Sequence, residues 1–165
     1  MAKVSVIGTT SWGTTLAIIL AQNGSDVFLW ARTSTEAEVL EKNGQNVRFL
    51  AGHYFPTNLN VTASLDEAVS SSSVIVMGVP SQKFGENLEA FIPFLTEPCV
   101  VLSATKGLER FSGKRMSEIL KEKLPGSFHS KIGVLSGPNL SREVVQGKPS
   151  STVVASDDES VAKEI

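Results

Sequence analysis

Short, almost unbroken apolar runs recur along this chain, and each is separated from the next by a segment whose apolar residues keep helical spacing. Val4-Ser5-Val6-Ile7 is the first run, closed by Gly8, and Asp26-Val27-Phe28-Leu29-Trp30 is the second. Val74 to Val79, Val100 to Ser103, Ile132 to Leu135 and Thr152 to Ala155 follow. Runs that do not alternate apolar with polar residues are strands buried on both faces, the condition of a parallel sheet. Between the first two, Trp12 to Asn23 sets Leu16, Ile19 and Leu20 at helical spacing and stops at Gly24. A polar helix is predicted from Thr35 to Lys42, then a loop through Gly52 and Pro56. Ser64 opens a short helix with Asp66 and Glu67 in its first turn. Further helices are predicted from Ser81 to Phe94, from Ser112 to Leu124 before Pro125-Gly126, and from Asn139 to Gln146. Strands alternating with amphipathic helices predict an α/β fold, a doubly wound, mainly parallel sheet with helices on both faces.

At 165 residues and 41% hydrophobic composition, the chain has enough apolar side chain for one full core and is short for two, so residues 1–165 read as one domain. The net charge is −2 and the Lys and Arg residues are scattered, which argues against a nucleic-acid partner. Cys99 has no second cysteine to pair with and opens an apolar run, where a small buried thiol is expected. No segment has the length to span a bilayer, and the N-terminal apolar run is too short for a signal peptide core. A cytoplasmic protein without a membrane partner is the expectation, and no metal site is expected. Ser156-Asp157-Asp158-Glu159 looks like the start of another helix, yet the sequence stops at Ile165, which leads to the expectation of a piece of a longer protein.

The first strand runs into Gly8-Thr9-Thr10-Ser11-Trp12-Gly13, where the first helix begins. In the Rossmann dinucleotide fold the first glycine of such a turn permits the bend, the second lets the backbone approach a pyrophosphate, and the third lets helix pack closely on strand. The backbone amides at the helix start then hold the anion. Any strand-to-helix turn can use two glycines, but this one follows the first strand of a strand-helix-strand unit. Thr10 stands in place of the second glycine, so either the turn shifts or phosphate affinity falls. At the tip of the second strand an acidic residue would accept the adenosine ribose hydroxyl; the sequence offers Trp30-Ala31-Arg32-Thr33-Ser34. Arg32 in that place is suited to a 2'-phosphate, which favours NADP or its acceptance beside NAD, or it is a solvated arginine at a strand end.

Further segments follow strand ends. Val79-Pro80-Ser81 closes one strand, Ala104-Thr105-Lys106-Gly107-Leu108-Glu109 another, and Leu135-Ser136-Gly137-Pro138 a third. The carboxyl edge of a parallel sheet is where ligands bind. Lys106 there offers a point charge to a phosphate or hydroxyl, with Gly107 letting the backbone come close, or it is a plain surface lysine. Asn139 opens a helix, and either contacts a ligand or caps the helix. Pro80 is either a ligand-site residue or a helix-start proline, and Phe84 either faces the site or the core.

Together with Ser11-Trp12-Gly13, these segments resemble, in order and spacing, the signatures of bacterial-type NAD(P)-dependent glycerol-3-phosphate dehydrogenases, over essentially the whole chain. The resemblance implies that Gly8, Thr9, Thr10, Ser11, Trp12, Gly13, Arg32, Pro80, Lys106 and Ser141 contact NADP or NAD. It also implies that Lys106, Gly137 and Asn139 contact glycerol 3-phosphate or dihydroxyacetone phosphate, and that Phe84 covers the nicotinamide. The family more often has Ser-Phe-Ala where this chain has Asn139-Leu140-Ser141.

Hydride transfer to or from an alcohol carbon needs a proton donor or acceptor within reach of the oxygen. His53 and His129 lie in loops and read as surface residues, so no catalytic group is expected in this chain. The resemblance implies that a proton-handling lysine and a phosphate-gripping arginine belong to a helical second domain outside residues 1–165. The expected activity, dihydroxyacetone phosphate reduction for phospholipid synthesis, is then that of the longer protein. The chain alone is expected to bind cofactor without turnover, and to expose a docking surface through which it could form a homodimer. A related hydroxy-acid dehydrogenase and a noncatalytic nucleotide-binding module are the competing readings.

Overall fold

The apolar runs pair side by side as the strands of one sheet. A computed structural model describes residues 2–165. In chain order its elements are β1 (Lys3–Ile7), α1 (Ser11–Gln22), β2 (Asp26–Trp30), α2 (Ser34–Asn43), α3 (Val47–Leu50), β3 (Leu59–Thr62), α4 (Leu65–Val69) and β4 (Val74–Met77). Then come α5 (Phe84–Phe91), β5 (Val100–Ser103), α6 (Met116–Lys123), β6 (Ile132–Ser136), α7 (Ser141–Val144), β7 (Val153–Ser156) and α8 (Glu159–Glu164). The strands lie in the order β3-β2-β1-β4-β5-β6-β7. All neighbours are parallel except β6 and β7, which are antiparallel. This is the Rossmann arrangement, whose order reverses between β1 and β4.

Because successive side chains on a strand point to opposite faces, each strand feeds two cores. Ile7, Ile75, Met77 and Val101 pack with Phe84, Leu88, Phe91 and Leu120 on one face. Val4, Val6, Leu29, Val76 and Leu102 pack with Ala17, Ile18 and Ala21 on the other. Ser5 interrupts the first apolar run at no structural cost, since its fully buried hydroxyl bonds the Ala68 carbonyl and the Ser72 hydroxyl. Phe84 is fully buried among the core residues, so it does not face the sheet edge where a nicotinamide would lie. Cys99 is buried, as its place before β5 suggests, and burial pushes its thiol up to about 11.

The structure departs from the sequence reading at the periphery. β3 falls within the stretch read as loop: it is an edge strand in which Leu59 and Val61 are buried and Asn60 between them is exposed, a pattern too short to stand out. α6 begins at Met116 rather than Ser112, because Gly113 takes a left-handed conformation (φ 68°) and the chain turns back so that Leu108 bridges Arg115. α7 is shorter than Asn139–Gln146, and β7 runs against its neighbour.

The close approach of α1 to the sheet depends on glycine. Gly8 adopts φ 110°, and a Cβ there would stand 2.8 Å from Val79 Cγ1. A Cβ on Gly13 would collide with the Gly8 carbonyl oxygen, and one on Gly78 would stand 2.8 Å from Gly13 Cα. Gly13→Ala is therefore expected to cost about 1–3 kcal/mol through overpacking. Gly126→Ala, where a Cβ meets open space, should stay within about 0.5 kcal/mol. Urea unfolding of both variants checks the contrast. A second expectation concerns Cys99: with its thiol held protonated and buried, it should resist alkylation by iodoacetamide at pH 8 in the folded chain and react in urea, followed by mass spectrometry.

Candidate functional site

The site grows from the fork between β1 and β4. Thr10 is the N-cap of α1: its Oγ1 accepts the Gly13 N–H at 3.0 Å and donates to the Gly78 carbonyl at 2.7 Å. The threonine in place of the second glycine thus turns its hydroxyl into the turn and ties the helix start to the end of β4. Ser11 and Trp12 form the first turn of α1, whose amides lack intrahelical acceptors and are available to an anion. Asn46, buried in the loop before α3, donates through Nδ2 to the Thr9 carbonyl and to Thr14 Oγ1, both at 2.8 Å, which holds the turn from outside.

A second set of bonds joins the turn to the loops after β5 and β6. Trp12 Nε1 donates to the Ala104 carbonyl at 3.0 Å. Thr105 Oγ1 lies within hydrogen-bond reach of the Met77 and Val79 carbonyls, at 3.1 and 2.8 Å. Lys106 sits with its Nζ 5.4 Å from the centre of the Trp12 ring, and donates to the carbonyls of Gly137 at 3.2 Å and Asn139 at 2.8 Å. Lys106, Gly137 and Asn139 therefore come together, although they belong to different loops.

Asn139 does so by its backbone. Its side chain is buried, and its Nδ2 lies within hydrogen-bond reach of Ser150 Oγ, the Ser151 carbonyl and Thr152 Oγ1. It does not cap α7, whose N-cap is Leu140. The capping alternative fails because the helix starts later, and the amide instead fastens the segment leading into β7. Gly137 is required by the same crowding, since a Cβ there would lie 2.8 Å from Asn139 Oδ1. Ser141 opens α7, and its carbonyl accepts from Thr15 Oγ1 at 3.3 Å, joining α7 to α1.

These residues line two adjacent cavities that form one cleft along the sheet edge only by sharing walls. On one side of the glycine turn a cavity of about 360 Å³ is walled by Thr10, Trp12, Pro80, Lys106, Asn139 and Ser141. On the other side a cavity of about 260 Å³ is walled by Gly8, Thr9, Arg32, Glu36, Lys83 and Asn87. Thr10, Val79 and Pro80 belong to both. A long two-ended ligand with a central anion fits this shape: a cation stands at each end, and the glycine turn with its free amides lies in the middle.

Arg32 occupies the rim of the smaller cavity with about half its side chain exposed. Its Nη1 lies 3.5 Å from Glu86 and its Nη2 donates to Asn87 Oδ1 at 3.4 Å. Neither histidine lines the cleft: His129 is exposed beside the Leu124 carbonyl, and His53 is half-buried. Among the described residues no group of three or more His, Cys, Asp or Glu side chains could hold a metal ion, and no helix is long and apolar enough to cross a membrane. Sequence reasoning missed Gly78, Asn46 and Glu36, and placed Thr105 at the sheet edge without a role. Only Gly78 carried a signal, as a glycine inside an apolar strand run marks close backbone approach.

Comparison with known proteins agrees with this geometry. Residues 3–162 match the family model described as NAD-dependent glycerol-3-phosphate dehydrogenase N-terminus. A glycerol-3-phosphate dehydrogenase [NAD(P)+] of Dehalococcoides mccartyi is 46% identical over 164 residues, which is 99% of this chain and 46% of that protein. One from Corynebacterium glutamicum is 39% identical over 163 residues, covering 99% of this chain and 49% of the relative. The chain thus spans about half the length of the curated relatives it matches. Among solved structures, glycerol-3-phosphate dehydrogenase from Coxiella burnetii superposes with a TM-score of 0.89 at 28% identity, over 99% of this chain and 49% of that one. With the cleft at the β1–β4 fork and the Lys106 loop in place, and with the family model matched almost from end to end, the chain belongs to the NAD-dependent glycerol-3-phosphate dehydrogenase family, of which it is the N-terminal part.

Proposed function

We propose that the cleft binds NAD(H) or NADP(H), and that the longer protein reduces dihydroxyacetone phosphate to sn-glycerol 3-phosphate. The observation that carries this reading is the Lys106 ammonium, held by the Gly137 and Asn139 carbonyls at one end of a cleft whose middle is a glycine turn. The amides of Ser11 and Trp12 would hold the cofactor's pyrophosphate, Gly8, Thr9 and Arg32 its adenosine end, and Pro80 and Lys106 its nicotinamide end. Gly13 keeps the helix start close enough for those amides to serve. Arg32 is the group suited to a 2'-phosphate once it leaves Glu86. Ser141, in the wall of the same cavity as Lys106, would contact the nicotinamide end.

When bound, the reduced nicotinamide supplies a hydride to the substrate's carbonyl carbon. Lys106 has three N–H donors, two of them engaged by backbone carbonyls, which leaves one for a substrate oxygen. Held in this way, the ammonium orients the substrate and offsets charge developing on the carbonyl oxygen as the hydride arrives. Gly137 and Asn139 position the substrate by fixing the lysine and by their own backbone. The proton that completes the alcohol comes from outside residues 1–165, from a helical substrate domain that also grips the phosphate. The length of the relatives, about twice that of this chain, supports that division. Leu140, 63% exposed beside the cleft, is the kind of apolar side chain such a domain or a second copy would cover. A cytoplasmic enzyme supplying glycerophospholipid precursors is the setting this reading implies.

Titration calorimetry with NADPH and NADH tests the cofactor half. NADPH should bind, and Arg32→Ala should weaken it about tenfold while leaving NADH little changed, as loss of one charge-assisted contact implies; failure of both nucleotides to bind overturns the reading. In the longer protein, Lys106→Ala should lower kcat/KM for dihydroxyacetone phosphate about 10²–10³-fold, the range for removing one positioned donor. Lys106→Arg should not restore it, because a planar guanidinium cannot reproduce the ammonium's bonds to two carbonyls. Steady-state NADPH oxidation reads both.

A further inference from the structure

The sequence has no acid at the tip of the second strand, yet a carboxylate stands there in the fold. β2 ends at Trp30 and turns through Ala31-Arg32-Thr33, and Glu36, in the first turn of α2, reaches back over this corner. Its Oε2 accepts the Arg32 backbone N–H at 3.2 Å, and its Oε1 accepts from Thr9 Oγ1 at 2.5 Å. The carboxylate is thus pinned to two of the segments that wall the smaller cavity, the glycine turn after β1 and the corner after β2. The Arg32 guanidinium lies toward a different wall, against Glu86 and Asn87, and Lys83 shares Glu86 at 2.7 Å. A carboxylate and two cations already engaged by another carboxylate therefore face one cavity.

We propose that Glu36 determines how the adenosine ribose is read: its carboxylate accepts a hydrogen bond from the free 2'-hydroxyl of NAD(H) and disfavours the 2'-phosphate of NADP(H), which Arg32 favours. This rests on the dinucleotide reading of the cleft. A carboxylate has about four lone-pair sites, and the two bonds already made leave it able to accept a hydroxyl. A phosphate brought to the same place meets like charge and finds no donor on Glu36. The position is built locally as well, because Thr33 Oγ1 accepts the Glu36 N–H at 3.2 Å and fixes the helix start from which the side chain reaches back.

Glu36→Gln tests this, since it keeps side-chain length and a carbonyl acceptor while removing the charge. Calorimetric titration should show NADH binding weakened about tenfold and NADPH binding unchanged or tighter, the size expected for losing a hydrogen bond to a charged group. A purely structural role for Glu36 would weaken both nucleotides by the same factor, and that result overturns the proposal. A second probe needs no mutation: the 2'-deoxyadenosine analogue of NADH should bind the unaltered chain about tenfold less tightly than NADH, whereas equal binding sinks the proposal. If the unaltered chain binds neither NADH nor NADPH, the cofactor reading itself fails and takes this inference with it. Binding of both without the 2'-hydroxyl effect leaves that reading standing and removes only Glu36.

Discussion

Three glycine backbones, at positions 8, 13 and 78, meet where β1, α1 and the end of β4 converge, and the cleft exists because no side chain stands between them. The contact is closed by hydrogen bonds: the Gly78 N–H donates to the Ile7 carbonyl at 3.0 Å, and Thr10 bridges Gly13 to Gly78. With α1 held this near the sheet, its first-turn amides reach the crevice at the switch in strand order, where parallel sheets bind ligands. Thr10 shows that the middle position of such a turn need not be glycine when the residue takes an extended cap conformation (φ −63°, ψ 167°) and turns its hydroxyl into the turn.

From this contact the other loops take their places in sequence. Trp12, in the first turn of α1, donates to the Ala104 carbonyl, and Thr105 lies against carbonyls at the end of β4. Lys106 then spans the gap to the loop after β6, where its ammonium takes the Gly137 and Asn139 carbonyls. A flexible lysine on an exposed loop becomes a positioned charge because the carbonyls it meets are themselves held. Gly137 has no room for a side chain, and the Asn139 amide is fastened to residues 150–152. Positioning of this kind is what lets a single ammonium act on a reacting oxygen in place of water.

The opposite end of the cleft is ruled by charge rather than by close packing. Arg32, Lys83 and Glu86 form exposed ion pairs of the kind that contribute little to stability and exchange partners readily. Glu36 differs, being held by backbone and hydroxyl donors from separate segments. Exposed, loosely paired cations can turn to an anionic ligand at little cost, whereas a braced carboxylate acts on whatever enters.

Local pattern sufficed for the sheet's buried strands, since Val4 to Ile7, Asp26 to Trp30, Val74 to Met77 and Val100 to Ser103 are apolar on both faces and their burial needs no knowledge of the partner. The glycine turn and the lysine loop were legible too, because each follows such a run. Only the tertiary structure decided what depends on residues distant in sequence. Edge strand β3 has one buried face and gains its identity from pairing with β2. Phe84 goes to the core because α5 packs that side down, while Asn139 turns its side chain toward residues 150–152 and its carbonyl toward Lys106. Glu36 stands at the tip of β2 through a helix turn that reaches back on it. Apolar burial follows from composition within a few neighbouring residues, but the direction of a polar side chain is set by whichever donor or acceptor the fold brings within 3 Å, and that partner is not written beside it.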